Sequence, residues 1–298
     1  MILNPFRIGS GGSDGPVLLV TVTGATATSV VATKNGVTKA LTYDSTLGKW
    51  WATLPSTGTW TVTASGSIGN TKSTTVSANS VAIYEASLLL GILPDEFTRL
   101  EYIGSSGTQY IDTGLVSTNG HRWTGTVLFE SILTGGTDAI AGAEGSPSGR
   151  NDIVYSSASS RGWCIGNQVS YYIHNSLTAT ANVKYVFDAS AVGSNTPTLY
   201  VNGESVNFPT NVYPSSGLPV ISDYIFAINA AGTPYYTSDP LRLYNDFCIY
   251  NTTDDSGLLA KFYPAKRNSD SVIGMYDIVR NQFFTNAGAG SFIAGSEA

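Results

Sequence analysis

Few residues in this sequence have the types and spacing that catalysis requires. Its 298 residues include only two histidines, His121 and His174. No His-Glu-x-x-His zinc motif, Gly-x-Ser-x-Gly nucleophile elbow or phosphate-binding loop occurs. The two cysteines, Cys164 and Cys248, are too far apart in the sequence for a Cys-x-x-Cys metal pair. Cleavage of a glycosidic bond needs none of these motifs, so glycoside hydrolysis is the enzymatic alternative that remains.

Glycoside hydrolysis needs two carboxyl groups that flank the scissile bond. On a β-strand, such a pair would occupy alternate positions. None of the glutamates in the second half, such as Glu130, Glu144 and Glu204, has a carboxylate two residues away on a predicted strand. The sequence therefore predicts a protein that is not an enzyme, with a glycoside hydrolase as an alternative.

The side chains best suited to hold a sugar form two groups in the second half of the chain, one within residues 161–175 and the other at residues 235–236. Aromatic rings can stack on sugar rings, and polar side chains can pair with sugar hydroxyls. Near these groups in the sequence lie Arg150, Asn151 and Asp152. Each aromatic residue has packing in a core as its competing interpretation, and the adjacent Tyr171 and Tyr172 face opposite sides of a strand. The predicted ligand-binding residues are Arg161, Trp163, Tyr171, Tyr172, His174, Asn175, Tyr235 and Tyr236.

The composition favours short strands joined by many turns. Charged residues make up only 12% of the chain, and there are 32 glycines. The formal net charge is −6 without a cluster of basic residues. Because nucleic acids and anionic membranes are bound mainly through cationic side chains, neither is an expected partner. Composition and length together predict an all-β protein with two domains.

Residues 1–15 are predicted to form an anchoring arm. The apolar part is followed by a Gly-Ser linker, and the segment cannot make a core of its own. It has no secretory signal pattern, so release by lysis is expected rather than export by the general secretory route. Packing of the arm on its own domain is the alternative to anchoring on a partner. The residues assigned to anchoring are Ile2, Leu3, Pro5, Phe6 and Ile8.

Residues 16–86 show about seven short alternating strands separated by turn signals, a pattern typical of a Greek-key sandwich. The segments Gly48-Lys49-Trp50 and Gly58-Thr59-Trp60 each open a strand. This region resembles the bacterial immunoglobulin-like repeats of surface and phage proteins. Of the adjacent Trp50 and Trp51, one is expected in the core and the other exposed. Residues 87–97 are predicted to be a buried connector.

Residues 98–298 carry short sequence motifs that predict a second sandwich. The closing blocks are Pro264-Ala265-Lys266-Arg267, Gly274-Met275-Tyr276-Asp277 and Gln282-Phe283-Phe284, and Asn202-Gly203 is a strong hairpin signal between them. The segment resembles laminin-G-like, concanavalin-A-like domains of gut bacteria and their phages. The resemblance implies a jelly roll that binds glycan. It also implies calcium binding, for which Asp138, Asp152 and Asp223 are the candidates in predicted loops.

The order of arm, immunoglobulin-like spacer and lectin-like head predicts a structural protein displayed on a bacteriophage virion. The expected role is a tail or baseplate appendage that binds host surface glycan. A capsid decoration protein, or head fibre, and a bacterial surface adhesin are the non-enzymatic alternatives. The arm would contact other virion proteins, and a homotrimer would suit such a position, although no coiled-coil heptads occur to support one.

Overall fold

The computed structural model describes residues 15–132, 134–145, 149–157, 162–168, 170–174, 177–193, 196–206, 208, 213–214, 217–237 and 240–298. Contacts divide the chain into unit 1, which ends at Asp95, and unit 2, which begins at Glu96. In the described ranges, the regular structure is β-strand except for a short 3-10 helix at Asp255–Gly257. The predicted all-β fold with two sandwiches is confirmed. No helix among the described residues is long and apolar enough to cross a membrane.

Unit 1 is a sandwich of two four-stranded sheets. Its strands are β1 (Val17–Gly24), β2 (Ala27–Lys34), β3 (Val37–Ala40), β4 (Thr42–Asp44), β5 (Lys49–Thr53), β6 (Gly58–Gly66), β7 (Thr71–Ala78) and β8 (Ile83–Leu90). The strand order is β4-β5-β1-β8 in one sheet and β3-β2-β6-β7 in the other. Strand β1 pairs antiparallel with β5 and parallel with β8, so it ties the first strand of the unit to the last.

The core of unit 1 follows from alternation along its strands. On β6, Trp60, Val62 and Ala64 are buried while the intervening threonines face outward. The indole of Trp60 donates to the Ser56 carbonyl at 3.1 Å, so its one polar atom is satisfied. Trp50 packs against this core and Trp51 does not, as the predicted alternation implies, although both side chains are half-buried.

Two predicted segments of unit 1 differ in the structure. Alternation in the sequence predicts a single strand over Val37–Tyr43, whereas the structure splits this segment at Leu41 into β3 and β4, which belong to different sheets. The predicted connector over 87–97 begins inside β8, because β8 continues its parallel pairing with β1 as far as Leu90. The backbone of this apolar segment is thus part of a sheet before it reaches unit 2.

Unit 2 is built from an eleven-stranded and a nine-stranded sheet. The larger sheet contains β9 (Phe97–Arg99), β10 (Tyr102–Ser105), β12 (Arg122–Phe129), β17 (Lys184–Ser190), β18 (Thr198–Val201), β19 (Glu204–Val206), β24 (Leu241–Tyr250), β25 (Leu258–Arg267), β26 (Ile273–Asp277), β27 (Gln282–Thr285) and β28 (Ile293–Ala294). The smaller sheet contains β11 (Ile111–Val116), β13 (Thr137–Gly145), β14 (Gly149–Ser156), β15 (Gly162–Gly166), β16 (Ser170–His174), β20 (Tyr213–Pro214), β21 (Ser222–Ile225), β22 (Ile228–Ala230) and β23 (Thr233–Tyr235).

The main core of unit 2 is formed by side chains from both sheets. The larger sheet contributes Trp123, Phe187 and Phe247, and the smaller contributes Ile153 and Trp163. Cys164 and Cys248 are both buried and do not form a disulfide. A second, smaller apolar cluster lies on the opposite face of the nine-stranded sheet, and Cys164 belongs to that cluster.

The Asn202-Gly203 hairpin turn offers a direct test of this fold. Both residues have positive φ angles, 53° and 82°, and a Cβ added at Gly203 would meet no atom within 4 Å. Gly203→Ala is therefore expected to cost about 1 kcal/mol through backbone strain alone. The urea midpoint measures this cost, with the exposed neighbour Ser205→Ala as the control. Equal midpoints for the two variants would contradict the left-handed turn.

Candidate functional site

The outer face of the nine-stranded sheet, the side away from the main core, carries an unusual set of side chains. On β14 to β16, alternate residues point to this face, and the pairing aligns Asp152 with Gly166 and Gly166 with Tyr171. The base of the face is the small apolar cluster, against which Tyr236 packs. The buried members of that cluster are Ala139, Val154, Cys164, Tyr171, Ile173 and Ile228.

Arg150 lies at the polar centre of this face. Its Nη1 donates to Asp152 Oδ2 and its Nη2 to Glu144 Oε1, each at 2.9 Å. The guanidinium carbon lies 4.4 Å from the ring centroid of Tyr171, a distance typical of a cation–π contact. A single cation is thus shared by two carboxylates and one aromatic ring, which fixes its position.

Local backbone features bring these charged groups together. Glu144 and Arg150 are directly opposite each other in the pairing of β13 with β14. The Gly166 amide donates to Asp152 Oδ1 at 3.0 Å, and a Cβ at Gly166 would lie 2.7 Å from that oxygen. Gly142 has a φ of 136°, and a Cβ there would lie 2.6 Å from the Asp152 Cβ. Two glycines therefore leave the space that the Asp152 carboxyl occupies.

Burial changes the acidity of the groups in this centre. Desolvation raises the pKa of Asp152 to about 6, although the charge of Arg150 opposes the shift. Burial likewise raises the pKa of Tyr171 well above its ordinary value, and raises that of Tyr236 to about 12. At neutral pH both phenols are therefore neutral hydrogen-bonding groups, and Asp152 is ionised although it is fully buried.

An aromatic pair borders the polar centre. The ring centroids of Tyr235 and Tyr236 are 3.9 Å apart, and Tyr235 is 49% exposed. The backbone carbonyl of Tyr236 accepts from the Ala139 amide at 3.2 Å, which holds the end of the β22–β23 hairpin against β13. The charges of Arg150 and Glu144 both act on the pKa of the Tyr236 phenol, so the ring lies beside them. This face therefore combines an exposed ring with fixed charged groups.

The structure brings together some of the predicted ligand-binding residues. Tyr171 and Tyr236 belong to this face, and the Tyr235 ring contacts that of Tyr236. Tyr171 and Tyr172 point to opposite sides of the sheet, as expected from alternation. The prediction for Trp163 is wrong, because its side chain is fully buried in the core between the sheets. Tyr172 also faces inward, with its ring centroid 6.0 Å from that of Phe208.

Several predicted residues lie outside the described part of the chain. These are Arg161 and Asn175 of the ligand group and, in the arm, Ile2, Leu3, Pro5, Phe6 and Ile8. For His174, only the backbone is described, where it pairs with Trp163 on β15. Their predicted roles stay predictions.

Two residues of the face were not singled out as ligand-binding from the sequence. Glu144 lies on β13, which consists mainly of small residues and so lacks the alternation of large side chains that indicates a strand. Arg150 was noted only for its nearness to the aromatic group. The sequence signal that could identify these two residues is the β13–β14 hairpin, in which Glu144 and Arg150 lie opposite each other on the two strands.

The predicted calcium ligands are not in loops. Asp138, Asp152 and Asp223 lie on β13, β14 and β21, and all three are buried. The Asp152 carboxylate is taken up by Arg150 and the Gly166 amide, so that side chain does not fit a calcium site. Asp223 is likewise engaged, by His121 and other donors in the core. No group of three or more metal-ligating His, Cys, Asp or Glu side chains occurs within the described ranges.

Comparisons with known proteins yield distant structural similarities. No protein-family model and no curated protein matches the chain. A crystal structure of a protein from Bacteroides ovatus, proposed to bind carbohydrate, is 13% identical with a TM-score of 0.43, covering 90% of this chain and 79% of that one.

Trypanosoma rangeli sialidase is also similar in structure. Its complex with difluorosialic acid is 18% identical with a TM-score of 0.32, and covers 44% of this chain and 20% of the sialidase. A second structure of that sialidase is 17% identical with a TM-score of 0.29 over the same shares. At such low identities, function has to be inferred from the side chains of the site rather than from a relative.

Proposed function

We propose that unit 2 binds a glycan, without cleaving it, on the outer face of the nine-stranded sheet. The observation that carries the proposal is the exposed Tyr235 ring beside Tyr236 and the fixed Glu144–Arg150–Asp152 group. A sugar ring has an apolar face that can stack on an aromatic side chain and hydroxyls that can pair with charged groups. Sites of this kind combine an apolar surface with a few oriented polar groups.

Burial of Asp152 supports binding without hydrolysis. A glycosidase needs one carboxyl to protonate the leaving oxygen and a second on the other side of the bond. Asp152 has the raised pKa expected of an acid, but its side chain has no exposed surface and cannot reach a bound sugar. Both carboxylates also hold the same guanidinium, so they are used to position Arg150. No release of sugar from host polysaccharide is expected.

Removal of the exposed ring is the test of this site. Tyr235→Ala is expected to weaken glycan binding by at least about tenfold, the loss typical of an aromatic anchor. The matched control is Tyr200→Ala, because Tyr200 is similarly exposed, at 43%, but lies on the other sheet. Affinities of the full chain and both variants would be measured on an array of bacterial surface glycans. Equal losses for the two variants, or binding to no glycan, would contradict the proposal.

We also propose that the chain is a structural protein displayed on a bacteriophage virion. This part is supported by the sequence alone, through the order of arm, spacer and lectin-like head. Gold-labelled antibody on purified particles tests it by electron microscopy. Label at the tail would support a receptor-binding appendage, and label over the head a decoration protein. Label on bacterial cells instead of particles would favour an adhesin and contradict the virion role.

A further inference from the structure

The charges of the site determine which glycans it can accept. Arg150 contributes one positive charge, whereas Glu144 and Asp152 contribute two negative charges at neutral pH. The three groups are in direct contact, so a ligand experiences them as a unit with a net charge of about −1. The whole chain is also acidic, with a formal charge of −6, which adds to the same field.

Arg150 is already paired with two carboxylates of the protein. Proteins recognise a carboxylate most effectively with two parallel hydrogen bonds from one guanidinium. Here each terminal nitrogen of Arg150 donates to a different protein carboxylate at 2.9 Å, and Tyr171 covers the guanidinium plane. A uronic or sialic acid would therefore compete with Glu144 and Asp152 for this guanidinium.

Glu144 is the carboxylate that a ligand would meet. Its side chain is 25% exposed, whereas that of Asp152 is fully buried. One Glu144 oxygen accepts from Arg150, and the other, Oε2, is buried without a hydrogen-bond partner among the residues that the structure describes. The exposed part of this side chain therefore acts on a ligand mainly through its negative charge, which repels a second carboxylate but not a neutral sugar.

We propose that this site selects neutral glycans over glycans with acidic sugars, and that Glu144 sets this selectivity. The inference rests on the proposed function, since it concerns the same site. Glu144→Gln removes the charge but keeps a side-chain oxygen that can accept from Arg150, so the geometry of the centre is preserved. The variant should therefore retain its affinity for neutral sugars and gain affinity for acidic ones.

The test uses oligosaccharides in matched pairs that end in glucose or glucuronic acid, and in galactose or galacturonic acid. Titration calorimetry on the full chain is expected to show at least about tenfold tighter binding of the neutral member. Glu144→Gln should reduce that ratio to about one. The control is Glu204→Gln, which makes the same change in net charge at an exposed residue of β19 and should leave the ratio unchanged.

Ionic strength gives a second measurement that needs no substitution. Raising the salt concentration from 0.05 to about 0.5 M screens charges at the surface and should reduce the wild-type ratio. Equal wild-type affinities for both members of a pair would overturn the selectivity, as would a ratio that Glu144→Gln does not change. If Tyr235→Ala still abolishes binding in that case, glycan binding stands and only the selectivity fails. Binding of neither member would overturn both proposals.

Discussion

Asp223→Ala is expected to lower the free energy of unfolding of unit 2 by about 3–5 kcal/mol, because three buried donors lose the acceptor that they share. The Asp223 side chain lies in the core and accepts from three donors. His121 Nδ1 donates at 2.8 Å, Asn151 Nδ2 at 2.9 Å and Trp123 Nε1 at 3.2 Å. All four side chains are essentially inaccessible to solvent.

This network joins the two sheets of unit 2. Trp123 belongs to β12 of the eleven-stranded sheet, and His121 directly precedes that strand. Asn151 and Asp223 belong to β14 and β21 of the nine-stranded sheet. The Asn151 Oδ1 atom also accepts from the His121 amide at 2.8 Å. Alanine at position 223 leaves three buried donors without their acceptor, and water cannot easily replace it in a packed core.

Hydrogen exchange measured by mass spectrometry in increasing urea would report on this loss within the intact chain. Peptides from β12, β14 and β21 should lose protection together, whereas peptides from unit 1 should not change. Asp188→Ala is the matched control, because Asp188 likewise accepts hydrogen bonds from a basic side chain, that of Arg122 at 2.7 Å, but its own side chain is 35% exposed. A surface pair of this kind contributes about 1 kcal/mol or less. Equal costs for the two substitutions would contradict a structural role for the network.

Much of the strand arrangement could be predicted from alternation, and its failures have local causes. Strand β6 was predicted because large apolar residues alternate with threonine. Strand β13 was missed because Thr137–Gly145 consists mainly of Ala and Gly, whose side chains are too small to reveal a face. The apolar pattern predicts one strand over Ile225–Asn229, but the structure interrupts this segment at Phe226, which has a φ of 70°. A positive φ at a phenylalanine is uncommon, and composition gives no warning of it.

The sequence predicts the residue types of the site, but it does not predict which side of the sheet each side chain faces. The sequence places Trp163 next to Cys164, and a strand must turn one of them inward. The larger side chain, that of Trp163, packs in the core because it fills the space between the two sheets, and Cys164 points to the outer face. Arg150 and Glu144 became part of the site through a pairing between strands. Such pairing depends on the turn and register, which a list of residue types does not contain.

The buried carboxyl of Asp152 should make the stability of unit 2 depend on pH. Burial raises its pKa to about 6 in the folded chain, compared with an ordinary value of 3.8. The folded state therefore holds the Asp152 proton more tightly than the unfolded state does. Stability from this group is present below pH 4, falls as the pH rises to about 6, and then stays constant. The difference of about two pH units corresponds to about 3 kcal/mol.

Asp152→Asn removes the titration while keeping the shape of the side chain. The unfolding free energy of the variant minus that of the wild type is expected to rise by about 3 kcal/mol between pH 4 and pH 7. Asp246→Asn should show the opposite slope, and mainly below pH 4, where the stability that Asp246 contributes is lost as the pH falls. Burial raises the pKa of Asp246, but its hydrogen bond with Lys261 and the charge of that lysine lower the pKa overall. Urea titrations at several pH values would measure both differences.

A flat difference for Asp152→Asn would mean that water reaches the carboxyl and that the outer face of the sheet is more open than described. The expected slope would carry a further consequence for function. A group that destabilises the fold at neutral pH is not retained for stability, and positions of this kind are concentrated at functional sites. Asp152 holds Arg150, and Arg150 holds Glu144 beside the exposed tyrosine pair. Burial of the Asp152 carboxylate thus lowers the stability of unit 2, but it holds Arg150 and Glu144 in the positions where their charges would act on a bound glycan.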